Sequence, residues 1–214
     1  FYNLFNHNIM PNWAYTVYRI TGEKSEVEAL EKRISTLDKR YKTKIYSGCG
    51  SLSLEEVVNE FDGDADAIFC DGIIIQMERL GDCDLRIDTE TAWHDVPQVF
   101  DLIVSRYTTL KYTFLAEEVG NELFINSDTE REYFTEKYYI NNEANNETEY
   151  AHSDEQLLEY ISKQLVVEGV TTISELDILL EKHNAQNENR QIHYYKFNPH
   201  KEQIINNQNI SDDE

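Results

Sequence analysis

The chain has 214 residues, of which 40% are apolar, and its formal net charge is −22 at pH 7. This length allows one domain with an appendage and a buried core, while the acidic balance disfavours direct binding of nucleic acid, whose phosphates are bound through cations. No apolar run approaches the roughly 20 residues that span a bilayer, so we expect a soluble protein without a membrane partner.

The first predicted element is a strand after Trp13, in which β-branched and aromatic residues alternate with others as far as Gly22. A helix is expected next, because Ser25 and Glu28 fit a capping box and apolar residues recur at helical spacing from Val27 to Tyr41. The signal then weakens, and only a short helix within a loop region is expected before residue 71.

Two strands joined at Gly81 are predicted at residues 72–80 and 83–93. Asp95 is expected to cap a second helix, whose apolar stripe runs from Val99 to Tyr107. Further strands are predicted at residues 110–118, 122–126 and 131–140.

This β-α-β-β-α-β order predicts an α+β, ferredoxin-like split βαβ fold, with an antiparallel sheet and two helices on one face. We expect residues 1–9 to be an extension, 10–140 the ferredoxin-like domain, and 141–152 a linker. Residues 153–184 are predicted to form a C-terminal helical hairpin, because Ser and Thr caps precede two apolar helical patterns. Residues 185–214, rich in Asn, Gln and charge, are expected to be a mostly flexible tail, in which "IHYYKF" either adds a strand or docks elsewhere.

Two segments carry a family resemblance: "MPNWAYTVYRITG" and "TETAWHDVPQVFDLIVSRYTTLKYTFLAEEVGNELF". Both resemble the YubB-like ferredoxin-domain proteins of phages, plasmids and conjugative elements, over residues of about 10–124. Ala14 stands where these proteins often carry Cys, and the proline-rich segment that usually follows their first helix is missing. The resemblance implies a mobile-element context and a fold but no activity, and it implies that Met10 is the natural start.

Four residues are candidates for a binding site. Trp13 and Trp93 stand at the ends of predicted strands, where a large aromatic side chain either closes the core or lines a cleft. His94 lies beside a predicted helix start, and Glu118 precedes the turn at Gly120. Packing roles are the ordinary alternative for the two tryptophans.

A metal site has a weaker basis. Asp62, Asp64 and Asp66 occupy the first, third and fifth places of a calcium loop, but Ala67 and Ile73 stand where that loop requires Gly and Glu. A solvated acidic loop is therefore preferred to weak calcium binding. We predict no metal, no cofactor and no catalytic residue.

Other acidic and thiol groups are interpreted as non-catalytic. Asp84, Arg86, Asp88 and Glu90 share one side of a predicted strand, and we expect that side to lie in solvent. Neither these acids nor the neighbouring Glu117 and Glu118 are interpreted as a catalytic pair. Cys49, between two glycines, is interpreted as an incidental loop thiol. Three cysteines without a Cys-x-x-Cys pair fit a reducing, cytoplasmic location.

Three functional hypotheses follow. The first is a mobile-element accessory protein that acts by binding another protein, without catalysis. The second is an acidic DNA mimic that inhibits a host DNA-binding or defence protein. The third is an enzyme or small-ligand binder with a pocket near Trp93 and Glu118.

Overall fold

The computed structural model describes residues 12–44 and 51–199. Within these ranges the chain forms nine strands and five helices, and the strands make two antiparallel sheets. The predicted α+β class is therefore confirmed. The expected extension at residues 1–9, Met10, Cys49 and the last part of the expected tail lie outside the described residues.

The elements divide into two groups along the chain. The first group comprises β1 (Trp13–Thr21), α1 (Lys24–Lys44), β2 (Leu52–Ser53), α2 (Leu54–Glu60), β3 (Gly72–Gly81), β4 (Asp84–Ala92), α3 (Pro97–Val104), β5 (Lys111–Glu118) and β6 (Leu123–Asn126). The second group comprises β7 (Tyr138–Asn142), β8 (Glu147–Ala151), α4 (Asp154–Leu165), α5 (Ile173–Gln186) and β9 (Ile192–Lys196).

The first sheet has the strand order β2-β3-β4-β1-β5-β6, and its neighbouring strands are antiparallel. β1 is an inner strand with a partner on each side, so Tyr18 lies opposite Ile87 on β4 and opposite Phe114 on β5. This double pairing fixes which residues of β1 face each side of the sheet, because neighbouring side chains alternate.

One face of this sheet carries the main core. Tyr18 points to this face and stacks on Phe100 of α3, with ring centroids 3.5 Å apart. Leu30 and Ile34 of α1 are buried in the same cluster. Because α1 and α3 contribute to one core with the same strands, both helices pack on the same face of the sheet.

The opposite face is covered by the second layer. Val17 and Leu115 of the first sheet pack with Tyr139 of β7 and Phe197 after β9. The second sheet has the order β8-β7-β9, and α4 and α5 share a separate core with Ile140. Among the described residues, no helix combines the length and apolar character that a membrane crossing requires.

The C-terminal region contains more strand structure than expected, and the linker prediction was wrong. Residues 141–152, expected to be a linker, contain the end of β7 and all of β8, joined by a turn in which Asn146 has a positive φ of 54°. The Asn-rich stretch is thus a hairpin turn, because Asn tolerates the left-handed region. Within the expected tail, "IHYYKF" contains β9, the strand that was one of its two expected forms, and β9 pairs with β7 along its full length.

Helix starts were predicted with mixed success. Ser153 and Thr172 cap α4 and α5, the second through a full capping box with Glu175, as the sequence indicated. α1 begins at Lys24, so Ser25 lies inside its first turn and is not its cap. α3 is preceded by Val96 and has no side-chain cap, so the capping role predicted for Asp95 was wrong.

One side of β4 was also expected in solvent, and this was wrong at Asp88. Asp88 is only 2% exposed because the second layer covers this face. Its carboxylate accepts hydrogen bonds from Arg86 Nε at 2.7 Å and from the Tyr15 hydroxyl at 2.7 Å. A buried carboxylate is tolerated here because it is paired with a cation and hydrogen-bonded.

Candidate functional site

Large aromatic side chains are exposed at the end of the first sheet where β1 begins and β4 ends. Trp13, Phe69 and Trp93 are 51%, 41% and 41% exposed. Phe69 lies against the His94 ring, with centroids 4.4 Å apart. We call Trp13, Phe69, Trp93 and His94 the aromatic patch. Clustered, half-exposed aromatic side chains of this kind are typical of binding surfaces.

Pairing of β1 with β4 brings three members of the patch to this end. Trp13 lies opposite Ala92, the last residue of β4. One residue further, the Trp93 amide donates a hydrogen bond to the Asn12 carbonyl at 2.8 Å. The position of Trp93 and His94 relative to Trp13 is therefore set by the register of the sheet.

Trp93 has an unusual backbone conformation. Its φ is +71°, and the His94 amide donates to the Ala92 carbonyl at 2.9 Å, which makes Trp93 the centre of a γ-turn with positive φ. This kind of turn is rare, and a bulky residue in this region carries strain of about 1–3 kcal/mol. The Trp93 indole is 41% exposed, so burial of this side chain does not compensate for the backbone strain.

The neighbouring turn supports this conformation. Asn121 Nδ2 donates to the Trp93 carbonyl at 3.2 Å, and the Asn121 amide donates to the Glu118 carboxylate at 2.5 Å. Gly120 also donates to Glu118, at 2.6 Å, and a Cβ at Gly120 would lie 2.3 Å from Asn12 Nδ2. The turn thus packs closely against the residue before β1.

Glu118 is buried at the turn that follows β5. Its side chain is 6% exposed, and both carboxylate oxygens accept backbone hydrogen bonds from the turn. This geometry does not present Glu118 to a ligand. Glu118 instead holds the amides of Gly120 and Asn121, and Asn121 contacts the Trp93 carbonyl.

A groove of about 770 Å³ lies beside the patch. It is lined by Trp13, by residues 65–73, by Ser53 at the end of β2 and by Glu55 in the first turn of α2. The groove wall is held to β4, because the Ala92 amide donates to the Asp71 carbonyl at 2.9 Å and Gly72 packs directly on the β4 backbone. A Cβ at Gly72 would approach the Glu90 carbonyl to 2.5 Å.

The groove has negative charge. Glu55, Asp66 and Asp71 line it, and all three are exposed. Burial raises the pKa of the Cys70 thiol, and the carboxylates of Glu55, Asp71 and Asp66 raise it further. Cys70 is therefore protonated at neutral pH and is a poor nucleophile, and its pKa reflects the negative potential of the groove.

The acidic loop does not have the geometry of a metal site. No group of three or more His, Cys, Asp or Glu side chains in the described ranges is placed to hold a metal ion. Asp64 Oδ1 instead accepts a hydrogen bond from the Asp66 amide at 3.0 Å, a local turn contact. Asp62 has a positive φ of 55° at the end of α2.

Sequence reasoning located part of this site. Trp13, Trp93 and His94, predicted as binding residues, lie together in the structure. Phe69 was missed, because it belongs to a loop without periodicity and reaches the patch only through the packing of residues 65–73 on β4. Asn121 was missed as well, and its only sequence signal was its place in a turn beside Glu118.

Comparison of the chain with protein-family models, with curated proteins and with solved structures found no match. The resemblance of residues 10–124 to the YubB-like proteins therefore stays a prediction. The interpretation of the patch and the groove depends on their geometry.

Proposed function

We propose that this protein acts by binding another protein, and that the aromatic patch and its groove are the binding surface. The conformation of Trp93 carries this proposal. A strained backbone is kept where the surrounding structure compensates for it, and such positions cluster at functional sites. Packing alone does not account for Trp93, because its indole is 41% exposed.

The partner is a protein segment that carries Lys or Arg beside an aromatic or aliphatic side chain. Glu55, Asp66 and Asp71 give the groove the charge that attracts such a segment. Indole faces bind Lys and Arg through cation–π contacts, and Trp is enriched among the residues that dominate binding energy. The exposed indoles of Trp13 and Trp93 provide such faces.

The finer fold assignment is also a proposal. A ferredoxin-like core is supported by the strand order β3-β4-β1-β5 within the first sheet, and by α1 and α3 packing on one face. A C-terminal helical hairpin is supported by the shared core of α4 and α5, in which Leu157 and Leu176 are buried. Together with the resemblance, this fold supports an accessory protein of a mobile element.

The two alternative functions have less support. A small-ligand site that uses Glu118 is disfavoured because the turn at Gly120 and Asn121 occupies its carboxylate. A DNA mimic requires an array of free carboxylates. On the helical face, Glu60 pairs with Arg33 and Glu31 pairs with Arg79, which interrupts such an array.

Selection from a displayed library of random peptides tests the proposal. Peptides of about 12 residues suffice to fill a groove with one anchor and its flanking charges. We expect enriched peptides to contain Lys or Arg next to an aromatic or aliphatic residue. Titration calorimetry with an enriched peptide should show affinity weakened at least about tenfold by Trp13→Ala.

Ile178→Ala is the matched control, because Ile178 is a large apolar residue on α5 that is 67% exposed. The Ile178→Ala variant should bind the same peptide with the affinity of the wild type. The proposal fails if enriched peptides lack basic residues, or if the Trp13 and Ile178 variants bind equally well.

A further inference from the structure

A second concave site lies between the first sheet and the second layer. This cavity has a volume of about 200 Å³. Its lining residues include the aromatic Tyr15, Phe134 and Tyr150 and the acidic Glu117 and Glu136. The cavity shares no lining residue with the groove beside the aromatic patch. The two sites can therefore be tested separately.

The one cation lining this cavity is already neutralised. Arg86 donates from Nε and Nη2 to the two carboxylate oxygens of Asp88, at 2.7 and 2.8 Å. Tyr15 donates to the same carboxylate at 2.7 Å. Because the geometry is bidentate and Asp88 is buried, the charge of Arg86 is balanced within this pair.

The carboxylates of Glu117 and Glu136 have no such partner. Glu117 accepts hydrogen bonds from the Tyr150 hydroxyl at 2.9 and 3.0 Å but forms no ion pair within the described ranges. Glu136 Oε2 is buried and has no hydrogen-bond partner among the described residues. Two partly buried acidic residues thus line one cavity without an ion-pair partner in the described part of the chain, an arrangement that is unfavourable when both are ionised.

We propose that this cavity binds a small alkylammonium cation. The ammonium group lies between Glu117 and Glu136, which supply the missing counter-charge. The alkyl groups contact the aromatic rings, whose faces attract organic cations. At the roughly 30 Å³ that a water molecule occupies, the cavity has room for about six or seven heavy atoms, the size of choline.

The site has an opening for such a molecule. Tyr150 is partly exposed at the edge of the cavity, and its hydroxyl is held by Glu117. A free small molecule fits this opening better than a protein segment does, because the volume is below the 300 Å³ or so of sites that enclose larger ligands. The opposite reading is a cavity that binds no ligand.

Titration calorimetry with choline and with dimethylbutanol, the uncharged carbon analogue of choline, separates these readings. We expect choline to bind in a one-to-one ratio and dimethylbutanol to bind at least about tenfold more weakly, because only choline neutralises the carboxylates. Equal affinity for the two compounds, or no binding of choline, overturns the proposal.

Variants of the lining residues test whether choline binds in this cavity. Glu117→Gln and Glu136→Gln keep the shape of the cavity and should each weaken choline binding at least about tenfold. Glu149→Gln is the matched control, because Glu149 is an exposed neighbour of Tyr150 on β8 and lies outside the cavity. Unchanged choline binding in Glu117→Gln and Glu136→Gln overturns the proposal. A result in which a trimethyllysine peptide binds and choline does not also overturns it.

Discussion

At the scale of single residues, two of the described positions combine a positive φ with a large, exposed apolar side chain. Trp93 has a φ of +71° and Val166, the C-cap of α4, has a φ of +54°. Val166 is 90% exposed, so its side chain contributes little packing. The two positions share strain but differ in role: Trp93 presents an indole in the patch, and Val166 only ends a helix.

Glycine at these positions tests this distinction. Val166→Gly should raise the free energy of unfolding by about 1 kcal/mol, because glycine adopts the left-handed region without strain. Trp93→Gly should stay within about 1 kcal/mol of the wild type, because relieved strain offsets lost packing. Urea unfolding measures both. A loss of about 3 kcal/mol or more in Trp93→Gly would identify the indole as a core residue.

On the covered side of β4, replacement of Asp88 should lower the free energy of unfolding most. Asp88→Ala leaves Arg86 and Tyr15 without their acceptor, and we expect a loss of about 3 kcal/mol in the free energy of unfolding. Asp82→Asn, at an exposed ion pair with Lys24, should cost less than about 1 kcal/mol. Similar losses in the two variants would show that Asp88 is not a buried partner.

Glu117 should make stability depend on pH. Burial raises the pKa of Glu117 above its ordinary value, the hydrogen bond from Tyr150 lowers it, and the Glu136 carboxylate raises it. The stability that this group contributes is therefore full below its ordinary pKa and is lost as pH rises through the raised pKa. Arg86 and Tyr15 also line this cavity, and they are paired with Asp88.

Glu117→Gln should remove this dependence. Compared with the wild type, the variant should gain stability as pH rises through the raised pKa of Glu117, because no charge is then buried. Urea unfolding across the acidic-to-neutral range measures the difference, with Glu149→Gln as the control. A constant difference between variant and wild type at every pH would contradict this assignment.

At the scale of secondary-structure elements, the chain after β9 joins the two layers. Phe197 donates from its amide to the Lys137 carbonyl at 3.0 Å, and its ring is buried between the sheets. Asn198 then pairs with β6, donating to the Phe124 carbonyl at 2.9 Å and accepting from the Asn126 amide at 2.8 Å. A segment expected to be flexible therefore connects both sheets.

Phe197→Ala should destabilise the protein by about 3–5 kcal/mol, because it leaves a cavity between the layers. Ile178→Ala, at a mostly exposed position, should change the free energy of unfolding by less than about 0.5 kcal/mol. Denaturant unfolding followed by circular dichroism gives both values. An equally small effect at Phe197 would contradict its role as the link between layers.

The elements that the sequence predicted well are those whose pattern is local. β1, β3 and β4 follow from alternation and turn residues, and α3 follows from apolar spacing. β8 was missed because most of its side chains are exposed, so its strand conformation depends on pairing with β7. β9 was expected only as one of two possibilities for "IHYYKF", since it forms by pairing with a strand that lies about 50 residues earlier.

The same limit applies to the candidate site. Trp13 and Trp93 stand out in the sequence because large aromatic residues at strand ends are uncommon outside cores and clefts. The strain at Trp93, the contact of Phe69 with His94 and the charged groove all depend on tertiary packing. Periodicity carries no information on these features.

At the scale of the whole molecule, the net charge of −22 bears on how a basic partner is bound. Acidic groups along the groove and across the remaining surface attract a basic segment at long range. Salt screens this attraction over a distance of about 10 Å at 0.1 M ionic strength. Aromatic contacts at Trp13 and Trp93 are much less sensitive to salt.

Calorimetric titration of an enriched basic peptide into the wild type, Trp93→Gly and Val166→Gly, at low and high salt, tests the account most directly. We predict that Trp93→Gly weakens binding at least about tenfold, that Val166→Gly binds as the wild type does, and that high salt weakens binding to all three proteins. Wild-type affinity in Trp93→Gly, or binding that is unchanged at high salt, would contradict a strained tryptophan presented beside an acidic groove.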